Sequence, residues 1–97
     1  MSKGYWIAHV DVDDPEAYQK YREANGPALA AYGGRFLVRA GTQEVREGRV
    51  RSRTVVIEFD GYEKALACYD SEDYQKAIAL RANVSTGDLS IVEGYNG

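Results

Sequence analysis

Residues 5–16 read YWIAHVDVDDPE, and this stretch contains a strand pattern followed directly by a helix start. Its first side chains alternate, with Trp6, Ala8, Val10 and Val12 on one side and Tyr5, Ile7, His9 and Asp11 on the other. A period of two is typical of a β-strand. Asp14 can then cap free N–H groups, and Pro15 fits the first helical position. The stretch therefore predicts a strand up to Val12 and a helix from about Pro15.

The predicted helix carries apolar side chains at spacings that keep one face inward, namely Tyr18, Tyr21, Ala28, Leu29 and Tyr32. Pro27 interrupts this stripe. Because proline removes an N–H and clashes with the preceding turn, we expect a kink or two helical pieces there. Gly33 and Gly34 are expected to end the helix, since glycine adopts left-handed dihedrals without strain.

Two strand-like segments follow, at residues 35–39 and 54–59. The second is rich in β-branched residues, which favour strands. Residues 42–53 lie between them, and Glu47 and Gly48 divide this segment into two similar halves. The pattern predicts one long hairpin with its tip at Glu47 and Gly48.

The last third of the chain predicts a second helical region and a fourth strand. Helical spacing resumes at Tyr62 and is expected to break near Ser71, which can cap a further helix. Residues 89–93 alternate again. The order βαββαβ over residues 1–97 predicts a single α+β domain with the ferredoxin-like arrangement. In that arrangement two helices cover one face of a four-stranded antiparallel sheet.

The composition excludes several classes of protein. A chain of 97 residues with one Cys and one His has neither an intramolecular disulfide nor a closed zinc site of thiolates and imidazoles. We expect no metal and no cofactor. No apolar run approaches the roughly 20 residues that span a bilayer. The start of the chain enters the strand pattern without a signal-peptide core, so we expect no membrane partner and a cytoplasmic location.

Charge is unevenly placed along the chain. Residues 35–53 contain six Arg and two Glu, a local charge of +4, which leaves −7 for the rest if the total is −3. Arg49, Arg51 and Arg53 are expected to share one strand face. Because this ladder is short and the whole chain is acidic, we expect no nucleic-acid partner. Charges on an exposed hairpin also discourage edge-to-edge aggregation.

The predicted sheet has apolar residues on both faces, although two helices cover only one. Tyr5, Ile7 and Val56 belong to the second face, which would alternate cleanly with polar residues if it were solvated. A contiguous apolar sheet face is typical of an association surface. We therefore expect a homodimer with the sheets packed face to face. The alternative is an ordinary sheet with a few exposed apolar residues.

Six segments resemble a known bacterial family, the domain of unknown function numbered 1330: residues 4–8 (GYWIA), 14–18 (DPEAY), 32–39 (YGGRFLVR), 56–59 (VIEF), 69–74 (YDSEDY) and 91–94 (IVEG). The resemblance implies a ferredoxin-like fold of the dimeric α/β-barrel superfamily and no established activity. That superfamily includes cofactor-free monooxygenases and haem-degrading enzymes, and a shared fold alone does not transfer chemistry. Cys68 and Glu72 depart from the family pattern, which usually has Trp and Pro there.

Glu58 and His9 are the candidate catalytic residues. Strand parity places both on the second sheet face, on neighbouring strands, so they could lie close together. A carboxylate beside an imidazole raises the pKa of the imidazole and orients it, as a general base requires. The alternative is that His9 lies at the sheet rim and Glu58 forms a structural pair with an arginine.

The candidate ligand-binding residues are Arg39, Arg81, Tyr69 and Tyr74. A guanidinium binds a carboxylate in a bidentate way, so Arg39 and Arg81 are the expected partners of Glu58 or of an anionic ligand. Tyr69 and Tyr74 flank the predicted helix break and are candidate pocket residues. Cys68 lacks basic neighbours and is expected to be buried and inert.

These observations lead to three hypotheses of function. The first is a homodimer that binds a small polar or anionic organic molecule between sheet and helices. The second is a cofactor-independent enzyme, monooxygenase-like or isomerase-like, in which Glu58 or His9 takes a proton and Arg39 stabilises the anion. The third is a purely structural or interaction dimer.

Overall fold

A computed structural model of the chain describes residues 2–96. Seven elements follow in chain order: β1 Gly4–Val12, α1 Pro15–Ala31, β2 Arg35–Arg39, β3 Arg53–Phe59, α2 Tyr62–Asp70, α3 Glu72–Ala79 and β4 Ser85–Glu93. The strands form one sheet in the order β2-β3-β1-β4, and all three pairings are antiparallel. This topology confirms the predicted ferredoxin-like α+β fold.

Strand β1 alternates as predicted and supplies the centre of the core. Trp6 and Ala8 are buried on its helix-facing side. The Trp6 indole donates a hydrogen bond of 2.8 Å from Nε1 to the carbonyl oxygen of Ala65 in α2. Its ring also packs edge-on against Tyr74 of α3 at a centroid distance of 4.7 Å. One side chain thus ties the central strand to both C-terminal helices.

Helix α1 begins and ends where the sequence predicts. Asp14 accepts a hydrogen bond from the Ala17 N–H, and Gly33 has a φ of 73° just after the helix. Two separate helical pieces do not form at Pro27, because α1 runs through it as one helix. Pro27 and Glu23, whose carbonyl loses its partner, are both exposed, so water can bond that carbonyl.

The predicted long hairpin is also wrong in its outer half. Strands β2 and β3 do pair, but residues 40–52 between them form an irregular loop. Charged side chains fall on both sides of this segment and nearly all of it is exposed, so neither face gains by burial. The expected arginine ladder therefore does not form: only Arg53 lies in a strand, and Arg51 reaches across to Asp11 and Asp88.

The break near Ser71 is confirmed, and it divides the second helical region into α2 and α3. The Ser71 hydroxyl accepts a hydrogen bond of 3.2 Å from the Tyr74 N–H and so caps α3. Helix α2 lies close on the sheet: a Cβ at Gly4 of β1 would lie only 2.7 Å from Cα of Tyr62. None of the helices in residues 2–96 is long and apolar enough to cross a membrane.

Helices α1 and α2 differ in how close their backbones come to the sheet. The backbone of α2 lies near β1, β3 and β4, whereas the backbone of α1 lies near α3. Two long side chains, Tyr18 and Tyr21, point from α1 toward the sheet and are both buried. Because tyrosines rather than short side chains separate α1 from β1, space remains on both sides of them.

Candidate functional site

The first space beside these tyrosines is the α1 cavity, defined here by Tyr18, Tyr21 and Asn25 of α1, Arg39 of β2 and Arg53 of β3. Trp6, Phe36, Ile57 and Tyr74 contribute its apolar surface, and Arg22 also borders it. The cavity has a volume of about 40 Å³, which is room for a small polar group and not for a whole organic molecule. Aromatic walls with a few polar groups are typical of small-molecule sites.

A second space, the β4 cavity, adjoins the first on the other side of the tyrosines. It has a volume of about 220 Å³ and adds Tyr69, Arg81 and Asp88 to the lining. The two cavities share five lining residues, Ala8, Val10, Tyr18, Tyr21 and Leu89. Together they run beneath α1 from β2 at one edge of the sheet to β4 at the other.

The arginines at these cavities have no acidic partner. Among residues 2–96, no salt bridge involves Arg22, Arg39, Arg53 or Arg81. Instead Arg39 lies over the Phe36 ring at 4.2 Å, and Arg53 over the Tyr18 ring at 5.7 Å. Stacking leaves the positive charges uncompensated, so the α1 cavity has an electrostatic preference for anions.

Two buried polar atoms at the α1 cavity lack a hydrogen-bond partner. They are Nε of Arg53, a donor, and Oδ1 of Asn25, an acceptor. Within the part of the chain that the structure describes, these are the only buried side-chain atoms of this kind. Buried polar groups in native proteins are nearly always bonded. Both exceptions lie on one cavity, where a ligand or water could meet them.

A pair of buried phenols forms the inner wall of the α1 cavity. The hydroxyl groups of Tyr21 and Tyr74 share a hydrogen bond of 2.6 Å. Burial raises the pKa of Tyr74, and burial likewise raises the pKa of Tyr18. Tyr74 and Tyr18 therefore stay neutral near pH 7.

The structure places the predicted ligand-binding residues at these cavities. Arg39 and Tyr74 line the α1 cavity, and Tyr69 and Arg81 line the β4 cavity. Arg81 also lies over the Tyr21 ring, at 5.2 Å from its centroid. All four residues thus lie on the helix side of the sheet, and their role in ligand binding stays a prediction.

The predicted proximity of His9 and Glu58 is wrong. In the β1–β3 register His9 lies opposite Thr54, whereas Glu58 lies opposite Tyr5. Four residues of strand separate the two positions, about 13 Å at 3.3 Å per residue. Both face the open side of the sheet, away from the two cavities. Neither candidate catalytic residue reaches Arg39.

Glu58 has partners other than those predicted. Arg35 lies directly opposite it and donates from Nη2 at 2.9 Å, and the Tyr5 hydroxyl donates at 3.1 Å. The Arg35 guanidinium holds the pKa of Glu58 below its usual range. Pairing of Glu58 with Arg39 or Arg81 was therefore a wrong prediction, because both of those arginines lie on the other side of the sheet.

A β-bulge explains the side that Arg39 takes. Phe36 pairs with Ile57, but Val38 pairs with Val56, so one extra residue is inserted at Leu37. An inserted residue reverses the parity of the strand beyond it. Arg35 therefore faces the open side with Glu58, while Arg39 faces the helices.

His9 lies in a cleft on the open side. Its Nδ1 is 3.1 Å from Oγ1 of Thr54. The cleft, of about 590 Å³, is bordered by Arg49, Arg51 and Asp88. Arg51 donates to Asp11 and to Asp88, at 3.0 Å in each case, and so fastens the loop to β1 and β4. Asp11 and Asp88 therefore anchor the loop to the sheet through Arg51.

Sequence reasoning missed Asn25 and Arg53. Asn25 follows Tyr18 and Tyr21 at helical spacing, so a polar residue interrupts the inward stripe, and this was a readable signal. Arg53 shares strand parity with Val55 and Ile57 and is therefore turned inward, which was also readable once β3 was known to start there. Arg22 carries no comparable signal.

Cys68 is fully buried, as predicted, with its Sγ 3.7 Å from the Ala28 carbonyl oxygen. Burial raises the pKa of the Cys68 thiol to about 11, so it stays protonated and weakly nucleophilic near pH 7. Across residues 2–96 the structure brings together no group of three His, Cys, Asp or Glu side chains that could hold a metal ion.

The sequence matches a family model described as a domain of unknown function, DUF1330, over residues 3–95. No curated protein matches it. Among solved structures, it is similar to the RPA0582 protein of unknown function from Rhodopseudomonas palustris, with a TM-score of 0.78 at 14% identity, covering 99% of this chain and 85% of that one.

Two further solved structures are similar in fold. SnoaB, a cofactor-independent oxygenase from Streptomyces nogalater, has a TM-score of 0.66 at 9% identity, covering 100% of this chain and 97% of that one. An ethyl tert-butyl ether D family protein from Bacillus halodurans has a TM-score of 0.55 at 12% identity, covering 98% and 100%. At these identities the likeness establishes the fold alone.

Proposed function

This chain belongs to the DUF1330 family, and we propose that it binds a small anionic organic molecule whose charged group lies in the α1 cavity. The observation that carries this proposal is the unpaired state of Arg39 and Arg53 beside an aromatic cavity. Surface arginines lose little by remaining unpaired in water. Arg53 is different, because its Nε is buried without a partner.

The expected binding mode has two parts. The anionic group of the ligand accepts hydrogen bonds from Arg53, and Arg39 adds charge at the same end. Since the α1 cavity has room for the anionic group only, the apolar body lies beside Tyr18 and Tyr21 in the β4 cavity of about 220 Å³.

Binding of two small acids, each compared with its neutral amide, tests this proposal. Calorimetry would measure benzoate against benzamide and pentanoate against pentanamide. We expect at least one acid to bind, and its amide to bind about tenfold more weakly or not at all, because the arginines prefer charge. The affinity of the Arg53→Met variant for the acid should fall by a similar factor.

Arg46→Met is the matched control, because Arg46 is exposed in the loop and pairs only with Glu44. It should bind the acid as the wild type does. Equal binding of acid and amide, or an equal loss in both arginine variants, would count against a specific anion site. Failure of both acids to bind would favour the structural or interaction dimer instead.

The enzymatic alternative has less support from the geometry. It requires Glu58 or His9 to take a proton near Arg39, but both lie across the sheet from Arg39. Glu58 is also held as a carboxylate by Arg35 and Tyr5. We therefore assign Glu58 a structural role, and we place ligand binding rather than proton transfer at Arg39.

We propose that the functional unit is a homodimer joined through the open sheet face. This face presents Tyr5, Ile7 and Val56 along its centre, and Val38 and Val92 are more than 40% exposed beside them. Ion pairs flank the apolar strip, with Arg35 and Glu58 at one end and Arg51 and Asp88 at the other. A second copy related by a twofold axis would cover the strip with its own.

A further inference from the structure

Arg81 borders the β4 cavity without an acidic partner. Its side chain is half-buried and its guanidinium lies 5.2 Å from the centroid of the Tyr21 ring. Among the described residues that line this cavity, Asp88 alone is acidic. Asp88 stands directly opposite His9 on the open side of the sheet, where Arg51 donates to its carboxylate at 3.0 Å. The charge of Arg81 therefore remains uncompensated at the cavity.

The positive charge around the two joined cavities exceeds what one carboxylate can balance. Four arginines lie there and form no salt bridge within residues 2–96, namely Arg22, Arg39, Arg53 and Arg81. Burial raises the pKa of Tyr18, and the arginines other than Arg39 act in the opposite direction, so three positive charges reach one phenol. The whole chain carries a charge of −3, so this local excess is not a general property of its surface.

The stacking contacts limit the distance between Arg53 and Arg81. Arg53 lies 5.7 Å from the centroid of the Tyr18 ring, and Arg81 lies 5.2 Å from that of Tyr21. The centroids of the two rings are themselves 5.2 Å apart. The two guanidinium carbons are therefore at most about 16 Å apart. Since a carboxyl carbon lies about 4 Å from the guanidinium carbon that it faces, two carboxylates placed between these arginines are separated by no more than about 8 Å.

A short organic dianion spans such a distance. Tyr18 and Tyr21 line both cavities, so an apolar body beside their rings extends from one arginine toward the other. Gly87 leaves the sheet surface of the β4 cavity free of a side chain at its position. We infer that the ligand is a dicarboxylate, whose first carboxylate meets Arg53 and whose second meets Arg81. This inference rests on the proposed function.

Pairs of ligands that have nearly the same shape and differ by one charge test the inference. Calorimetry on the wild-type protein would compare terephthalate with 4-carbamoylbenzoate, and adipate with 5-carbamoylpentanoate. Each second compound carries an amide in place of one carboxylate. At least one dianion should bind about tenfold or more tightly than its monoamide, because a guanidinium bonds a carboxylate more strongly than a neutral amide.

The Arg81→Met variant should reduce this preference to less than about twofold, while its affinity for the monoamide stays at the wild-type value. Arg81→Lys keeps the positive charge and should retain part of the preference. Lys76→Met is the matched control, because it removes the same charge from α3 at an exposed residue that pairs only with Glu72. It should keep the full preference for the dianion.

The two proposals fail in different ways. If the monoamides bind and the dianions bind no more tightly, anion binding stands and the inference about a second carboxylate is wrong. If the preference persists in Arg81→Met, or falls as much in Lys76→Met, Arg81 is not the partner of the second carboxylate and the inference is wrong. If neither dianions nor monoamides bind, both the proposed function and this inference are wrong.

Discussion

The role of Glu58 follows from its contacts rather than from its residue type. Its carboxylate accepts from Arg35 and Tyr5, and Lys3 lies 3.9 Å away. These contacts lower the pKa of Glu58, chiefly through the Arg35 hydrogen bonds. A carboxylate with a lowered pKa in the folded state stabilises the fold above its unfolded pKa of about 4.3 and loses that contribution as pH falls.

The first prediction follows from that sign. At pH 7 the Glu58→Gln variant should unfold at a lower urea concentration than the wild type, because the amide does not pair with Arg35 as a carboxylate does. The difference should shrink as the pH falls below about 4, where the wild-type carboxylate becomes protonated. Urea titrations at several pH values measure it. A difference that does not vary with pH would show that the ion pair contributes nothing.

The buried hydroxyls of Tyr21 and Tyr74 provide the second prediction. The two hydroxyl groups share a hydrogen bond of 2.6 Å, so removing one leaves the other without a partner. Tyr21→Phe and Tyr74→Phe should each lower the free energy of unfolding by about 1–2 kcal/mol. The double variant should lose less free energy of unfolding than the sum of the two single losses, since it leaves no buried hydroxyl without a partner. Strict additivity in urea titrations would show that water replaces the missing partner.

At the scale of the elements, helix starts depend on single caps. Asp14 accepts from the Ala17 N–H at 3.1 Å, and Ser71 does the same for Tyr74. Both are local interactions, within three residues along the chain. This is why the starts of α1 and α3 were predictable, whereas the course of residues 40–52 was not. That loop depends on Arg51 reaching two other strands.

The third prediction concerns the cap of α1. Asp14→Ala should destabilise the protein by about 1 kcal/mol, the usual loss for an N-cap side chain. Asp13→Ala is the control, because Asp13 also precedes the helix but only its backbone N–H is bonded, to the Val84 carbonyl. Thermal unfolding followed by circular dichroism measures both. Equal losses in the two variants would assign the effect to charge rather than to capping.

On the scale of the whole molecule, α1 and α2 cover the same sheet face at different distances. Helix α2 packs so closely that Gly4 has no space for a Cβ. The side chains of Tyr18 and Tyr21 separate helix α1 from the sheet, and the space beside them is the candidate site. Close packing of one helix supplies stability, and this allows the other to border a cavity.

The fourth prediction concerns assembly. Light scattering should give a mass of twice the 10.8 kDa chain for the wild type. Ile7→Asp places a charge at the centre of the open sheet face and should shift the mass to that of one chain, because burying an unpaired charge is costly. Leu80→Asp is the control, since Leu80 is 42% exposed at the end of α3. A wild-type mass of 10.8 kDa would contradict the dimer.

Much of the candidate site was predictable in its parts and unpredictable in its arrangement. Arg39, Tyr69 and Tyr74 were chosen by residue type within segments that resemble the family, and Arg81 by helical spacing; all four lie beside the two cavities. The separation of Arg39 from Glu58 depends on the bulge at Leu37, which no local sequence pattern indicates. Parity arguments hold only while strand pairing is regular.

By itself the sequence determined the element order, the inward face of β1, the starts of α1 and α3, and hence the fold. These features depend on neighbouring residues and on alternation, which are local. Tertiary structure alone decided which polar groups meet. The strand register separates His9 from Glu58, and the height of α1 above the sheet brings Asn25 and Arg53 to one cavity. Such distances depend on how distant segments pack, so they exist only in the folded chain.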